Sequence, residues 1–204
     1  VTTTARGEGL APVTLRGDHV RLVPLTRDHL DALVAVGLDP DLWALTGSQV
    51  RGRDDLARWV TTALAEQDAG TALPFVTTLA ADGTVVGATR FGNWAPAHRR
   101  VEIGWTWVAR PWQRTAVNTE AKLLMLRHAF EGLGCQRVEL KTDLLNERSQ
   151  QAMLRLGATR EGVLRRHMVT ESGRIRDTVY FSVIAEEWPV VEAGLIARLG
   201  IARA

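Results

Sequence analysis

Apolar and polar residues alternate through HVRLVPL (19–25), the period of a half-buried β-strand. Thr26 then serves as an N-cap, and the spacing predicts a helix from there to roughly Val36, with a second over about Asp54 to Asp68. LPFVTTLA (73–80) and TVVGATRF (84–91) flank an Asp82-Gly83 turn and predict a β-hairpin. After the loop GNWAPAHRR comes the strand VEIGWTWV (101–108). Its alternation places Val101, Ile103, Trp105 and Trp107 on one face and Glu102, Gly104, Thr106 and Val108 on the other.

From about Ala116 to Glu131 the chain is apolar nearly all round, which predicts a helix packed on more than one side and ended by Gly132 and Gly134. QRVELKTDL (136–144) follows as a strand, so strand, helix and strand form a βαβ unit with parallel neighbours. Asn146 to Leu156 predicts a short helix stopped at Gly157. Two strands, roughly 158–168 and 175–184, flank the turn ESGR as a second hairpin. Pro189 opens a terminal amphipathic helix carrying Val191, Leu195 and Leu199. The fold class is α/β, in the α+β sense of a mixed, mostly antiparallel sheet flanked by helices.

Composition narrows this further. The chain has 204 residues, 46% of them apolar, enough for one core. The expected organisation is a tail over 1–12, a domain over 13–188 and a C-terminal helix over 189–204 packed on or extending it. No apolar run has the length of a membrane span, and the start VTTTARGEGLAP lacks the apolar core of a signal peptide, so a soluble, cytoplasmic protein is expected. A single cysteine, Cys135, excludes internal disulfides, and five scattered histidines lack metal-binding spacing, so no metal is expected. Only Lys122 and Lys141 are lysines. Arginine for lysine reads as coding bias, and with a net charge of +2 it does not argue for a nucleic-acid partner.

Chemistry enters at VARPWQRTAVNTEAK (108–122), where a β-like run ends at Arg-Pro, passes a short polar loop and becomes a helix. Such a loop presents the unpaired N–H groups of a helix N-terminus to an anion, which suits a phosphate-bearing cofactor.

Three blocks occur in order: VEIGWTWVARPWQRTAVNTEAK, LKTDLLNERSQQAMLRLGATREG and VLRRHMVTESGRIRDTVYFSVI. Together they resemble the GNAT superfamily of acetyl-CoA-dependent N-acetyltransferases, in the branch containing the ribosomal-protein N-terminal acetyltransferases, over most of residues 13–188. The resemblance implies an acyl-CoA N-acyltransferase fold whose sheet splits near the end of the 101–108 strand. Acetyl-CoA would lie in that opening, and the acceptor amine would approach between the 26–70 helices and the hairpin around Ser172. It implies pyrophosphate contacts from Gln113, Arg114, Thr115, Ala116, Val117, Asn118 and Thr119, with Trp107 and Val108 beside the pantetheine and thioester. In the family's Asn-x-x-Ser arrangement, Asn146 fixes the pantetheine arm and Ser149 gives a proton to the thiolate. On the residues alone, Asn146 reads equally as an N-cap, with Ser149 at N3. The family loop pattern is Gln/Arg-x-x-Gly-x-Gly/Ala, and this chain departs from it with Ala116, Asn118, and Arg114 at a position often glycine. Ala116 adds only a methyl to the loop, while Arg114 brings a bidentate phosphate donor.

Acetylating an amine requires a neutral nucleophile, stabilisation of the oxyanion and a proton for the departing thiolate. An α-amino group, with a pKa of roughly 7.7–8.0, is already partly neutral, so a weak base acting through water suffices. Glu102 is the first candidate base. Where the ribosomal branch can carry a glutamate on the strand after the short helix, this chain has Met168, which leaves His167, Glu161 and Asp177 as further candidates. His167 also reads as an exposed strand histidine. The expected activity is direct transfer of acetyl from acetyl-CoA to a primary amine, on a protein N-terminus or a small molecule, within a ternary complex. The alternative is an acyl-CoA-binding or regulatory module without efficient turnover. Trp43, Trp94 and Trp112 are candidates to border a substrate, and Cys135 reads as a buried inert thiol. The stripe on the terminal helix is compatible with a homodimer or with burial on its own sheet.

Overall fold

The computed structural model describes residues 10–201. The alternating segment forms β2 (Val20–Pro24), which pairs with a two-residue strand, β1 (Leu15–Arg16), too short to signal itself. The Thr26 cap is present as a capping box with His29, but the first turn is a 3-10 turn, and α1 runs from Leu30 to Gly37. Then follow α2 (Arg53–Asp68), β3 (Leu73–Leu79) and β4 (Val85–Ala95). β4 is longer than expected, because Gly92 and Ala95, assigned to a loop, stay in register with β5 (Arg100–Val108). α3 (Ala116–Arg127) closes in a π turn at His128–Gly132. β6 (Arg137–Asp143), α4 (Glu147–Leu156), β7 (Thr159–Val169), β8 (Ile175–Ile184) and α5 (Trp188–Leu199) complete the chain.

The strands form one sheet in the order β1-β2-β3-β4-β5-β6-β8-β7. Every pairing is antiparallel except β5 with β6, which closes the expected βαβ unit through α3. That parallel pairing extends only through Arg100–Arg137, Val101–Val138 and Glu102–Glu139. The sheet therefore parts after Glu102, near the start of β5 and not near its end as expected. Parallel strands held by so few pairs diverge as each half of the sheet follows its own twist.

One face of both halves packs on α3. Val20, Phe75, Phe91, Val101 and Ile103 from one half meet Val138, Leu140, Phe181 and Val183 from the other, with Leu123, Met125 and Leu126 of α3 between them. A second cluster joins α1 and α2 to the opposite face of the first half, through Leu33, Leu56, Trp59, Val76, Ala88 and Trp107. The stripe of α5 (Val191, Leu195) lies in the first cluster, so its own chain covers it and it carries no argument for a second copy. Most of the expected tail lies outside the described residues, but Leu10 is buried in the main core and is no part of a free tail. Among the described residues, no helix is long and apolar enough to cross a membrane.

Candidate active site

The strict alternation expected of β5 does not hold. Ala88 pairs with Trp107 but Arg90 pairs with Gly104, so Thr89 faces both Trp105 and Thr106 across a β-bulge. Trp105 takes φ = 49°, a left-handed conformation that costs a bulky residue about 1–3 kcal/mol. Its surroundings hold it there. The Arg90 guanidinium lies 4.7 Å from the Trp105 ring centroid and 5.2 Å from that of Trp59, and it pairs with Glu66 at 2.5 Å. The Trp105 ring also fills the space over Gly92, where a Cβ would stand 2.4 Å from it. The bulge inverts the side-chain phase. Val101 and Ile103 remain on the α3 side, while Trp105 and Trp107 join the second cluster on the opposite face.

Thr106 is thereby turned under α3, where its hydroxyl and that of Thr89 lie 2.7 Å apart and Lys122 Nζ donates to Thr106 at 2.6 Å. No carboxylate accompanies this ammonium among the described residues, and burial drives the Lys122 pKa down from 10.5 to about 7.

Glu102 faces away from α3 at the point where the sheet parts, and it is 6% exposed. One carboxylate oxygen, Oε2, accepts from Asn93 Nδ2 at 2.6 Å and pairs with Lys141 Nζ at 2.6 Å. The other, Oε1, has no protein donor among the described residues and lies toward Gly104, where a Cβ would stand 3.0 Å from it. Burial works against the Lys141 ammonium, but the charge and hydrogen bond of Glu102, with a further contribution from Tyr180, outweigh it and hold Lys141 above the ordinary lysine range. The ammonium stands 5.0 Å from the Tyr180 ring centroid. A cavity of about 510 Å³ opens beside this group, lined by Asn93, Trp94, Arg100, Glu139, Lys141 and Tyr180. A second, of about 300 Å³, lies between α2 and the β7–β8 hairpin, bordered by Trp59, Glu66, Arg90, Trp105 and Glu171. The hairpin tip closes on the segment after α1, where Glu171 Oε2 accepts from Gln49 N at 2.7 Å and Glu171 N donates to Gly47 O at 3.0 Å.

The expected anion loop contains no glycine. Arg114, at the position often glycine, adopts φ = 62°, the conformation glycine would take at no steric cost. Thr115 caps α3, accepting from Val117 N at 3.3 Å. The remaining first-turn donors, Ala116 N and Asn118 N, have no partner among the described residues, while the Val117 side chain is buried in the core. Asn118 and Thr119 are half-buried at the same end of the helix. Gln113 is engaged already: its Nε2 donates to Val108 O at 2.8 Å, and its Oε1 accepts from Arg148 at 3.1 Å. That leaves the Val108 carbonyl occupied, and the Trp107 ring is buried in the second cluster with its backbone opposite Ala88 in the β4–β5 ladder.

At α4, Asn146 Oδ1 accepts from Ser149 N at 3.0 Å, so the N-cap geometry is present. The Asn146 amide nitrogen and the Ser149 hydroxyl have no partner among the described residues. His167 is exposed, with Nδ1 3.0 Å from Thr178 Oγ1 and its ring against Tyr180. Its link to Glu102 is indirect: its ring meets Tyr180, which lies under Lys141, the partner of Glu102. Glu161 is bound to Arg137 and Ser182, and Asp177 accepts from Arg166 N at 2.6 Å. Of the tryptophans thought to border a substrate, Trp94 lines the larger cavity, Trp112 packs against the main core, and Trp43 is buried against Trp59 and Trp107. Burial raises the Cys135 thiol to about 11, as befits an inert thiol. No group of three or more His, Cys, Asp or Glu is placed to hold a metal among the described residues.

Asn93, Lys141 and Tyr180 were not singled out from the sequence. One signal for Lys141 was present: once Glu102 is paired with Glu139 in a parallel ladder, the residue two further along β6 falls on the face of Glu102.

A family model described as Acetyltransferase (GNAT) domain matches residues 19–159. The YdaF protein of Bacillus subtilis (strain 168), named provisionally as a ribosomal N-acetyltransferase, is 31% identical over 107 residues, 52% of this chain and 57% of that protein. The aligned part thus spans little more than half the length of the curated relatives it matches. Among solved structures, a GCN5-related N-acetyltransferase from Brucella melitensis superposes with a TM-score of 0.86 at 30% identity, covering 94% of this chain and 87% of that one. Mycobacterium smegmatis RimJ, solved in complex with CoA-disulfide, superposes with a TM-score of 0.75 at 26% identity, covering 93% and 94%.

Proposed function

Because the chain belongs to the GNAT acetyltransferase family and resembles its RimJ/RimL-like branch, we propose that it transfers an acetyl group from acetyl-CoA to a primary amine, on a protein N-terminus or a small molecule. The observation that carries this reading is the parting of β5 from β6 after Glu102, together with the free N-terminal donors of α3 and the Asn146 cap of α4, which Arg148 ties to the loop before α3 through Gln113. The donor set fits a pyrophosphate: two unpaired helix N–H groups and an exposed Arg114 on a loop already in a glycine-like conformation. In this reading Ala116 N, Asn118 N and Arg114 hold the pyrophosphate, and the Asn146 amide nitrogen holds the pantetheine arm. Thr115, Val117 and Gln113 shape the loop and the end of β5.

The chemistry then follows from the charged groups. The acceptor amine attacks the acetyl carbonyl within a ternary complex, forming the N–C bond as the C–S bond breaks. The amine proton passes through water to Glu102 Oε1, the oxygen with no protein donor. The Ser149 hydroxyl protonates the departing thiolate and is reprotonated from solvent, so the products are an amide and a free thiol.

The test is thiol release from acetyl-CoA over a panel of amines and peptides, with CoA binding followed by calorimetry. Glu102→Gln is expected to lower kcat/KM by about 100-fold or more while CoA binds as before. CoA binding without turnover on any acceptor would instead identify an acyl-CoA-binding module.

A further inference from the structure

Building on the reading of Glu102 as the base, we propose that Lys141 is its positioning residue: the ammonium reaches across the parted strands and engages Oε2, leaving Oε1 alone to face the acceptor. Lys141 lies on β6 just past the last pair with β5, so no backbone ladder fixes its distance from Glu102. The side-chain bond at 2.6 Å does so instead. Asn93, from β4, donates to the same oxygen, so two donors on neighbouring strands fix the carboxylate in one rotation. Gly104 leaves room for Oε1 on the opposite side, since a Cβ there would approach it to 3.0 Å.

Lys141 is committed to this one carboxylate. Glu139, its neighbour on β6, is taken by Arg100 and Arg137, and Asp143 is taken by Arg174. Arg176 is the other cation acting on Glu102, and it is also drawn to Asp143. Tyr180 lies beneath the Lys141 ammonium, and His167 stands beyond Tyr180. Removing the Lys141 charge therefore leaves Glu102 with a neutral amide donor and a more remote guanidinium.

The rival explanation is that the pair only staples the two halves of the sheet together. A double-mutant cycle read in kcat separates the two. Lys141→Met is expected to lower kcat by about tenfold or more while calorimetry shows CoA bound as before, and to cause no further loss when added to Glu102→Gln, because Lys141 acts only through that carboxylate. Lys141→Arg, which keeps a charged donor, should restore most of the rate. A staple would lower the melting temperature and cost the same factor in either background. Lys141→Gln repeats the measurement should the methionine variant not fold, and failure of both to fold would overturn the positioning role in favour of the staple. Glu102→Gln run in parallel divides the claims. Full activity there refutes the base assignment, whereas an inactive Glu102→Gln with an unchanged kcat in Lys141→Met refutes the role of Lys141 alone.

Discussion

Replacing Lys122 by methionine is expected to stabilise the protein, by an amount that depends on pH. Methionine matches the length of the lysine stem and brings no charge to a site that is 5% exposed. The two threonine hydroxyls that accept from Lys122 already lie 2.7 Å apart, so each keeps a partner when the ammonium goes. What remains is the ionisation. The unfolded lysine binds its proton up to about pH 10.5, whereas the buried one releases it near 7, so over that window the unfolded state holds more protons and stability rises with pH. The stability from this group is fully present above the unfolded pKa and is lost as pH falls through the folded one. With about 1.4 kcal/mol for each tenfold change, the penalty that methionine removes is roughly 5 kcal/mol at pH 6, about 3 near pH 8.5 and about 1 at pH 10. Urea denaturation of parent and variant across this range measures it, with the midpoints diverging toward low pH. A variant destabilised by the same amount at pH 6 and pH 10 would refute the reasoning and show that Lys122 contributes through packing and hydrogen bonds.

Glu120 makes the opposite case. Its carboxylate accepts from the backbone N–H groups of Asp18, His19 and Val20, so Glu120→Ala strands donors that include a buried one and should cost about 3 kcal/mol by urea denaturation. Arg114→Gly removes the strain of φ = 62° and the proposed phosphate donor together. Stability is expected to rise by up to about 1 kcal/mol while calorimetry shows CoA binding weakened roughly tenfold.

The elements with a clear period were legible in the sequence. Hairpin turns, the βαβ connection and the caps at Thr26 and Asn146 each depend on residues within a few positions of one another, and all are present. The site depends on longer-range relations. Trp105 breaks the alternation of β5 because Arg90, Gly92 and Trp59, from other elements, hold it in a conformation its own neighbours disfavour. The Lys141–Glu102 bond depends on a register that no local pattern carries, and the burial of Lys122 on where α3 crosses the bulge. Arg114 was seen as a departure from the glycine pattern, but only the backbone shows that it keeps the glycine conformation.

The parting of β5 from β6 has a consequence for how the domain holds together. With three parallel pairs at its centre, the sheet is close to two sheets side by side, and lateral hydrogen bonding is weakest where an ordinary sheet is strongest. α3 makes good the deficit, because its apolar residues are wedged into both halves like a keystone. The same helix turns its free N–H groups outward at its first turn. Cohesion thus resides in the element whose first turn also carries the proposed phosphate donors, and under that proposal an anion bound there would load the joint between the two halves of the molecule.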